Sequence, residues 1–258
     1  MNKIFKLFSV TLILIMMLLL SGCGLLISDV EKRYDIDKEI NGTSLTTEEL
    51  LEKLEDIVFN FEINKYCEIT AVSTMNNEKL NLMIKYDFSG ELLKDFKLHI
   101  NIKSKKEEMQ YFIDDEVLYA IVKYDDVVEK EKANLKDLLG NVSIDQAKQE
   151  LLKECMSFMD FEGALTKESY QELYEAIKDS LFDEEEVLKA TIDSNSNLVI
   201  DVNDDDEQAR MVFNSDNKLI YLGGKDNKDY ITVIFSYSKP RFNFPSTDGY
   251  KESNPTLN

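Results

Sequence analysis

Several stretches of the chain alternate apolar and polar residues with the period of two that is typical of half-buried β-strands. Apolar residues occupy every second position across 80–88 and again across 96–102. Shorter runs of the same kind cover 66–73, 109–113 and 117–122. Turn residues, and no helical pattern, separate these runs. The pattern therefore predicts an antiparallel meander and not a series of β-α-β units.

The last third of the chain repeats this pattern. Candidate strands cover 187–192, 197–202, 208–213, 218–222 and 230–237. The residues between them are mostly Asp, Asn, Ser and Gly, which favour tight turns. A second up-and-down meander is therefore expected.

The segments outside these meanders have the period of an α-helix. Thr46 and Glu49 have the spacing of a capping box, and apolar residues at 50, 54, 57, 58 and 61 form one stripe behind it. A second capping box at Ser143 and Gln146 opens the segment 143–182, which a glycine at 163 divides into two helices. Because apolar helix faces must cover a sheet, the fold class expected is α+β: a large curved antiparallel sheet, or half-barrel, with helices packed on its concave face.

The helical hairpin at 143–182 is rich in methionine and aromatic residues, which can line an adaptable apolar pocket. The candidate ligand-binding residues are therefore Met156, Phe158, Met159, Tyr170 and Tyr174. The alternative is that these side chains form an ordinary core between helix and sheet.

The beginning of the chain has the pattern of an export signal. Lys3 and Lys6 precede an uncharged apolar run over 9–20, and small residues follow. The sequence Leu20-Ser21-Gly22-Cys23 resembles the lipobox of bacterial lipoproteins. This resemblance implies cleavage before Cys23, lipidation of Cys23 and a firm anchor in the membrane. An ordinary signal peptide or a single-helix anchor is the alternative.

The chain is strongly acidic, with 50 Asp and Glu against 30 Lys and Arg and a formal charge of −20. Loss of Lys3 and Lys6 with the signal leaves 28 basic against 50 acidic residues, or about −22. Such a surface is repelled by the phosphates of nucleic acid, so no nucleic-acid partner is expected. A basic protein partner is compatible with it.

The residues that carry chemistry elsewhere are sparse. His99 is the only histidine, and its place on the polar face of a strand predicts a solvent-facing side chain. Acidic turns starting at Asp193 and Asp201 lack the glycine and the final glutamate of a calcium loop. We therefore expect no catalytic residue, no metal site and no cofactor. Cys67 and Cys155 are either bridged or two buried free thiols.

Three stretches, 47–61, 108–124 and 231–245, resemble the family of lipoprotein carriers with a LolA-like or LppX-like half-barrel. They correspond to an opening helix, a pair of strands with a tyrosine-bearing hairpin, and a closing strand followed by an aromatic residue and a proline. In that family the concave face holds an acyl chain or another apolar ligand. The resemblance implies no individual ligand-binding residue, and the acidity and long middle helices of this chain depart from the family pattern.

The expected organisation has four parts: a lipoprotein signal peptide (1–22), a lipidated Cys23 with a flexible tether (23–41), one LolA-like domain (42–246) and a loose tail (247–258). The function expected is that of a non-enzymatic envelope lipoprotein at the outer face of the cell membrane, binding a lipid or similar molecule. The alternative is a ligand-free interaction or sensor lipoprotein that recognises a protein through its acidic surface. A hydrolase acting through carboxylates has no acid pair that the sequence can place.

Overall fold

The structure is a computed structural model, and a defined part of the chain is described in it: residues 29–60, 64–75, 78–124, 127–140, 142–148, 151, 171, 174–175, 178, 187–204 and 207–252. Within this part three helices are complete: α1 (Asp29–Tyr34), α2 (Thr47–Phe59) and α3 (Leu135–Leu139). Residues 144–148 are also helical.

The strands are β1 (Gly42–Ser44), β2 (Tyr66–Met75), β3 (Glu78–Asp87), β4 (Lys97–Lys103), β5 (Glu107–Asp114), β6 (Val117–Tyr124), β7 (Val127–Asn134), β8 (Val187–Asp193), β9 (Leu198–Asp204), β10 (Glu207–Phe213), β11 (Leu219–Asp226), β12 (Asp229–Ser236) and β13 (Lys251–Glu252). All thirteen belong to one sheet, in the order β1-β8-β9-β10-β11-β12-β2-β3-β4-β5-β6-β7-β13.

The two predicted meanders meet in the middle of this sheet. β2–β7 and β8–β12 are each consecutive antiparallel strands, and β12 pairs with β2 so that Val233 lies opposite Ala71. Only the β13–β7 pair is parallel among the strands described. The expected α+β class, a curved antiparallel half-barrel with helices on its concave face, is confirmed.

Helix α2 packs on the concave face, which we call the core face. The Thr46 hydroxyl accepts a hydrogen bond from the Glu49 backbone N–H at 3.3 Å, and the Glu49 carboxylate accepts one from the Thr46 N–H at 2.8 Å, as the capping-box spacing predicts. Leu50, Leu54 and Ile57 are buried together with the core-face residues of the sheet. The apolar stripe therefore belongs to the core.

The opposite, outer face carries the N-terminal segment, residues 29–41. Tyr34 is buried against Val199, Val212 and Tyr221. A flexible tether is the expectation for 23–41, but from Asp29 onward the chain forms a helix and packs on the sheet. The reason is that the outer face of β9–β11 is itself apolar, so its hydrophobic side chains need a cover.

The outer face also carries residues 239–252, which we call the C-terminal strap. It runs from the end of β12 across β3, β4 and β5, where Lys239 pairs with Asp87 and Phe244 lies on Phe112. It ends where β13 joins the edge of β7. The loose tail expected from residue 247 is therefore ordered at least to Glu252, because Tyr250 has aromatic partners on the sheet.

Among the described residues, no helix has the length and apolar character needed to cross a membrane.

Candidate functional site

The core face differs between its two ends. Core-face residues of β2, β3, β9, β10 and β12 are buried beneath α2 or against one another. On β4 and β5 the core-face residues Leu98, Ile100 and Ile113 are buried as well, but a neighbouring set of apolar core-face side chains on β4, β5 and β6 is only half-buried. We call this set the apolar strip; its members are Ile102, Met109, Tyr111, Leu118, Ala120 and Val122.

Strand register brings these residues side by side. Ile102 lies opposite Met109, and Met109 lies opposite Val122 on the next strand. Tyr111 likewise lies opposite Ala120. Side chains opposite each other in antiparallel strands have Cβ atoms about 4.5–5.5 Å apart, so the strip is a continuous apolar surface.

Carboxylates border the strip on β7. Glu129 lies opposite Val122 and Glu131 lies opposite Ala120, which places both on the same face as the strip. The hydroxyl of Tyr124 donates to Oε1 of Glu129 at 3.1 Å, and this hydrogen bond raises the pKa of Tyr124. The arrangement therefore combines an apolar floor with an acidic border, and it holds no array of groups suited to acid–base or nucleophilic catalysis among the residues described.

The predicted ligand-binding residues are mostly outside the described part of the chain, and so is Cys23. Met156, Phe158, Met159 and Tyr170 lie there. Tyr174 is described: its ring packs against the core, and its hydroxyl donates to Oε1 of Glu55 on α2 at 2.9 Å. That hydrogen bond raises the pKa of Tyr174. Tyr174 thus contacts α2 through Glu55, and no described contact joins Tyr174 to the apolar strip.

Cys67 is a free thiol that faces the core from β2. Burial raises the pKa of the Cys67 thiol to about 12. Cys155 lies outside the described residues, so Cys67 alone is assigned as a buried free thiol.

The acidic turns serve the fold. Asp193 accepts hydrogen bonds from the Tyr34 hydroxyl at 2.6 Å and from the backbone N–H of Asn195 and Asn197. Burial alone would raise the pKa of Asp193, but these hydrogen bonds outweigh burial and lower it. Asp201 is paired with Arg210. Within the described residues, no group of three or more His, Cys, Asp or Glu side chains is placed to hold a metal ion.

Arg210 is a structural residue that the sequence analysis missed. It lies on the outer face of β10, 4% exposed, and its Nε donates to Oδ1 of Asp201 at 2.5 Å. Its remaining nitrogens donate to the backbone carbonyls of Tyr34, Asp35 and Lys38. The sequence does show an arginine within the apolar run Ala209 to Phe213, and a guanidinium buried in such a run needs hydrogen-bond partners.

The chain is similar to solved structures that include two mycobacterial lipoproteins. No protein-family model matches the chain, and no curated protein matches it. The lipoprotein LppX of Mycobacterium tuberculosis is 11% identical with a TM-score of 0.35, over 77% of this chain and 99% of LppX. LprF from Mycobacterium bovis is 7% identical with a TM-score of 0.34, over 80% of this chain and 99% of LprF.

Proposed function

We propose that this protein is a non-enzymatic, membrane-anchored envelope lipoprotein that binds a hydrophobic ligand, a lipid or a similar molecule, on the apolar strip. The observation that carries the proposal is the contrast along the core face: α2 covers one end of it, while six contiguous apolar side chains on β4–β6 stay half-buried. A surface of this kind favours an apolar occupant, at about 0.8 kcal/mol for each methylene group removed from water.

The membrane anchor in this proposal is a lipidated Cys23. It lies six residues before Asp29, where α1 begins. Six residues span at most about 20 Å when fully extended. Since Arg210 fixes the backbone at Tyr34, Asp35 and Lys38, a lipidated Cys23 would hold the sheet close to the bilayer. Such a position suits a protein that exchanges a ligand with the membrane.

Ligand binding is tested by expressing residues 24–258 without the anchor, extracting the purified protein with solvent and identifying co-purified lipid by mass spectrometry. Val122→Glu places a carboxylate on the strip, and Val128→Glu is the matched control, since Val128 is 54% exposed and lies opposite Lys123 on the outer face. Bound lipid should be lost from Val122→Glu and kept in Val128→Glu. Wild-type protein without bound lipid, or equal lipid in both variants, would refute the proposal.

Anchoring is tested separately in cells. Cys23→Ser should abolish incorporation of a labelled fatty acid and move the protein from the membrane fraction to the soluble fraction. Cys67→Ser is the control, because Cys67 is buried and should leave labelling unchanged. Labelling that survives Cys23→Ser would contradict lipidation at this residue.

The second candidate is a ligand-free lipoprotein that recognises a basic protein partner. The charge of −20 and the exposed carboxylates of Glu129 and Glu131 favour it. Capture of one partner that weakens steeply with salt, from protein that carries no lipid, would support this function over the first.

A further inference from the structure

We propose that His99 is a proton-sensitive contact of the C-terminal strap: when its imidazole is protonated, the strap leaves the sheet and uncovers the aromatic side chains beneath it. This device is independent of the ligand proposed for the core face, because His99 and the strap lie on the outer face.

The surface under the strap is an aromatic row across three strands. His99 on β4 lies opposite Phe112 on β5, and Phe112 lies opposite Tyr119 on β6. The ring centroids of Phe112 and Tyr119 are 4.8 Å apart, and the two rings are stacked. The strap places Phe244 5.3 Å from Phe112 and Tyr250 5.0 Å from Tyr119, again between ring centroids.

His99 lies inside this cluster and not in solvent, contrary to the expectation from its polar strand face. It is 9% exposed, with Phe112 at 6.3 Å and Phe244 at 6.1 Å between ring centroids. Its Nε2 atom is buried and has no hydrogen-bond partner among the residues described. Both ring nitrogens of a protonated imidazole carry a proton, so the N–H at Nε2 would then lack an acceptor for as long as the strap stays in place.

The charged groups around His99 do not compensate a positive charge. Lys85 lies opposite His99 on β3, and Glu68, the carboxylate nearest to Lys85 on β2, already pairs with that lysine at 3.0 Å. On β4 itself Lys97 points the same way, and its partner is Asp114 on β5. Both carboxylates are thus engaged by lysines, which leaves no carboxylate free to pair with a proton on His99 among these residues.

The other groups that face His99 are neutral or are engaged elsewhere. Gln110 on β5 forms a hydrogen bond with His99, which favours the charged form. Tyr119 and Tyr250 contribute neutral phenols, and on the strap Lys239 is paired with Asp87 at 2.8 Å. Burial lowers the pKa of His99 below its ordinary 6.5, and the nearby Lys85 lowers it further against the opposing hydrogen bond from Gln110.

The strap, and not strand β4, is the element that can move away from His99. β4 is hydrogen-bonded along its length to β3 and β5, so His99 can reach water only if Phe244 moves away. The strap is held mainly by its rings, by the Lys239–Asp87 pair, by a Lys130 hydrogen bond to the carbonyl of Asp248 at 3.1 Å and by two paired residues at β13. Docking of the strap is therefore fully favourable above pH 6.5, and it weakens as the pH falls through the lowered pKa of His99.

The chain has no tryptophan, so Phe244→Trp supplies a single fluorescent reporter on the strap. In the full-length protein in detergent, its emission should shift to the red as the pH is lowered through a midpoint below 6.5. The same reporter combined with His99→Leu should show no such transition, because the titrating group is gone. A transition that survives His99→Leu would overturn the proposal.

A second measurement does not depend on the tryptophan variant. His99 is the only histidine, so its titration can be followed by NMR in the full-length wild-type protein labelled at histidine. The pKa of His99 should lie below 6.5 and should rise toward 6.5 in Phe244→Ala, where the strap no longer covers the ring. An identical pKa in the two proteins would show that the strap and the proton are not linked, and would refute the proposal.

Discussion

Arg210 offers the sharpest test of how the N-terminal segment is held. Replacing it with methionine keeps an unbranched side chain on β10 but removes every guanidinium donor. The carbonyls of Tyr34, Asp35 and Lys38 then lose their hydrogen bonds, and the Asp201 carboxylate, 15% exposed, loses its cation.

The expected magnitude follows from the burial of the pair. Removing one partner of a buried ion pair costs about 3–5 kcal/mol, because the other charge stays in the protein without compensation. Whole domains are stable by only about 5–15 kcal/mol, so Arg210→Met should consume a large part of the free energy of unfolding. The comparison is Lys225→Met, which removes the ion pair with Asp37; that carboxylate is 65% exposed, and such pairs contribute about 0–1 kcal/mol.

Urea denaturation of the two variants measures the difference, and hydrogen exchange locates it. Arg210→Met should lose at least about 3 kcal/mol, and backbone amides of the N-terminal segment should lose protection first. Adding Asp201→Leu to Arg210→Met should recover part of the loss, because the unpaired carboxylate is then gone. The reasoning fails if Arg210→Met and Lys225→Met are equally stable, or if the added Asp201→Leu only makes the protein weaker.

Three further predictions concern the core and the sheet edge. Leu54→Ala should lower the free energy of unfolding, measured by urea denaturation, by about 2–5 kcal/mol. Leu92→Ala, at a half-exposed position, should change it by no more than about 0.5 kcal/mol. Equal losses in the two variants would contradict the packing of α2. Gly42→Ala should release β1, seen as faster amide exchange there, because the new Cβ would lie 2.1 Å from the Ile192 carbonyl oxygen. The Cys67 thiol, with its pKa raised to about 12, should resist alkylation until denaturant is added; rapid labelling of the native protein at Cys67, located by peptide mass spectrometry, would contradict its burial.

The elements of the sheet were predictable because each strand has one apolar and one polar face. Period-two runs such as 80–88 and 96–102 gave β3 and β4 nearly to the residue. The start of α2 was predictable from the capping box, because its two hydrogen bonds join residues only three positions apart, Thr46 and Glu49. The pairing of β12 with β2 was not predicted, because the two strands are far apart in the sequence and no local pattern indicates their contact.

The outer face was harder to predict. A strand with buried residues on both faces has no alternation to read, as in β10, where Ala209 to Phe213 are all buried. His99 was placed in solvent because its strand neighbours Lys97 and Asn101 are polar, and nothing local indicates that Phe244 would lie on it. Likewise, the carbonyls that Arg210 binds are more than 170 residues away in sequence.

The N-terminal segment and the C-terminal strap cover apolar surface that the large sheet would otherwise expose. Helix α2 covers only part of the core face, and the outer face carries an apolar patch around Val212 and Tyr221 and an aromatic row at Phe112. Left bare, both outer patches would be exposed apolar surface of the kind that promotes association. The N-terminal segment covers one patch, where Arg210 binds its backbone carbonyls, and the C-terminal strap covers the other, where Phe244 and Tyr250 pack on the aromatic row. The apolar strip on the core face has no such cover from either segment among the residues described, which is why we propose that a ligand binds on that face.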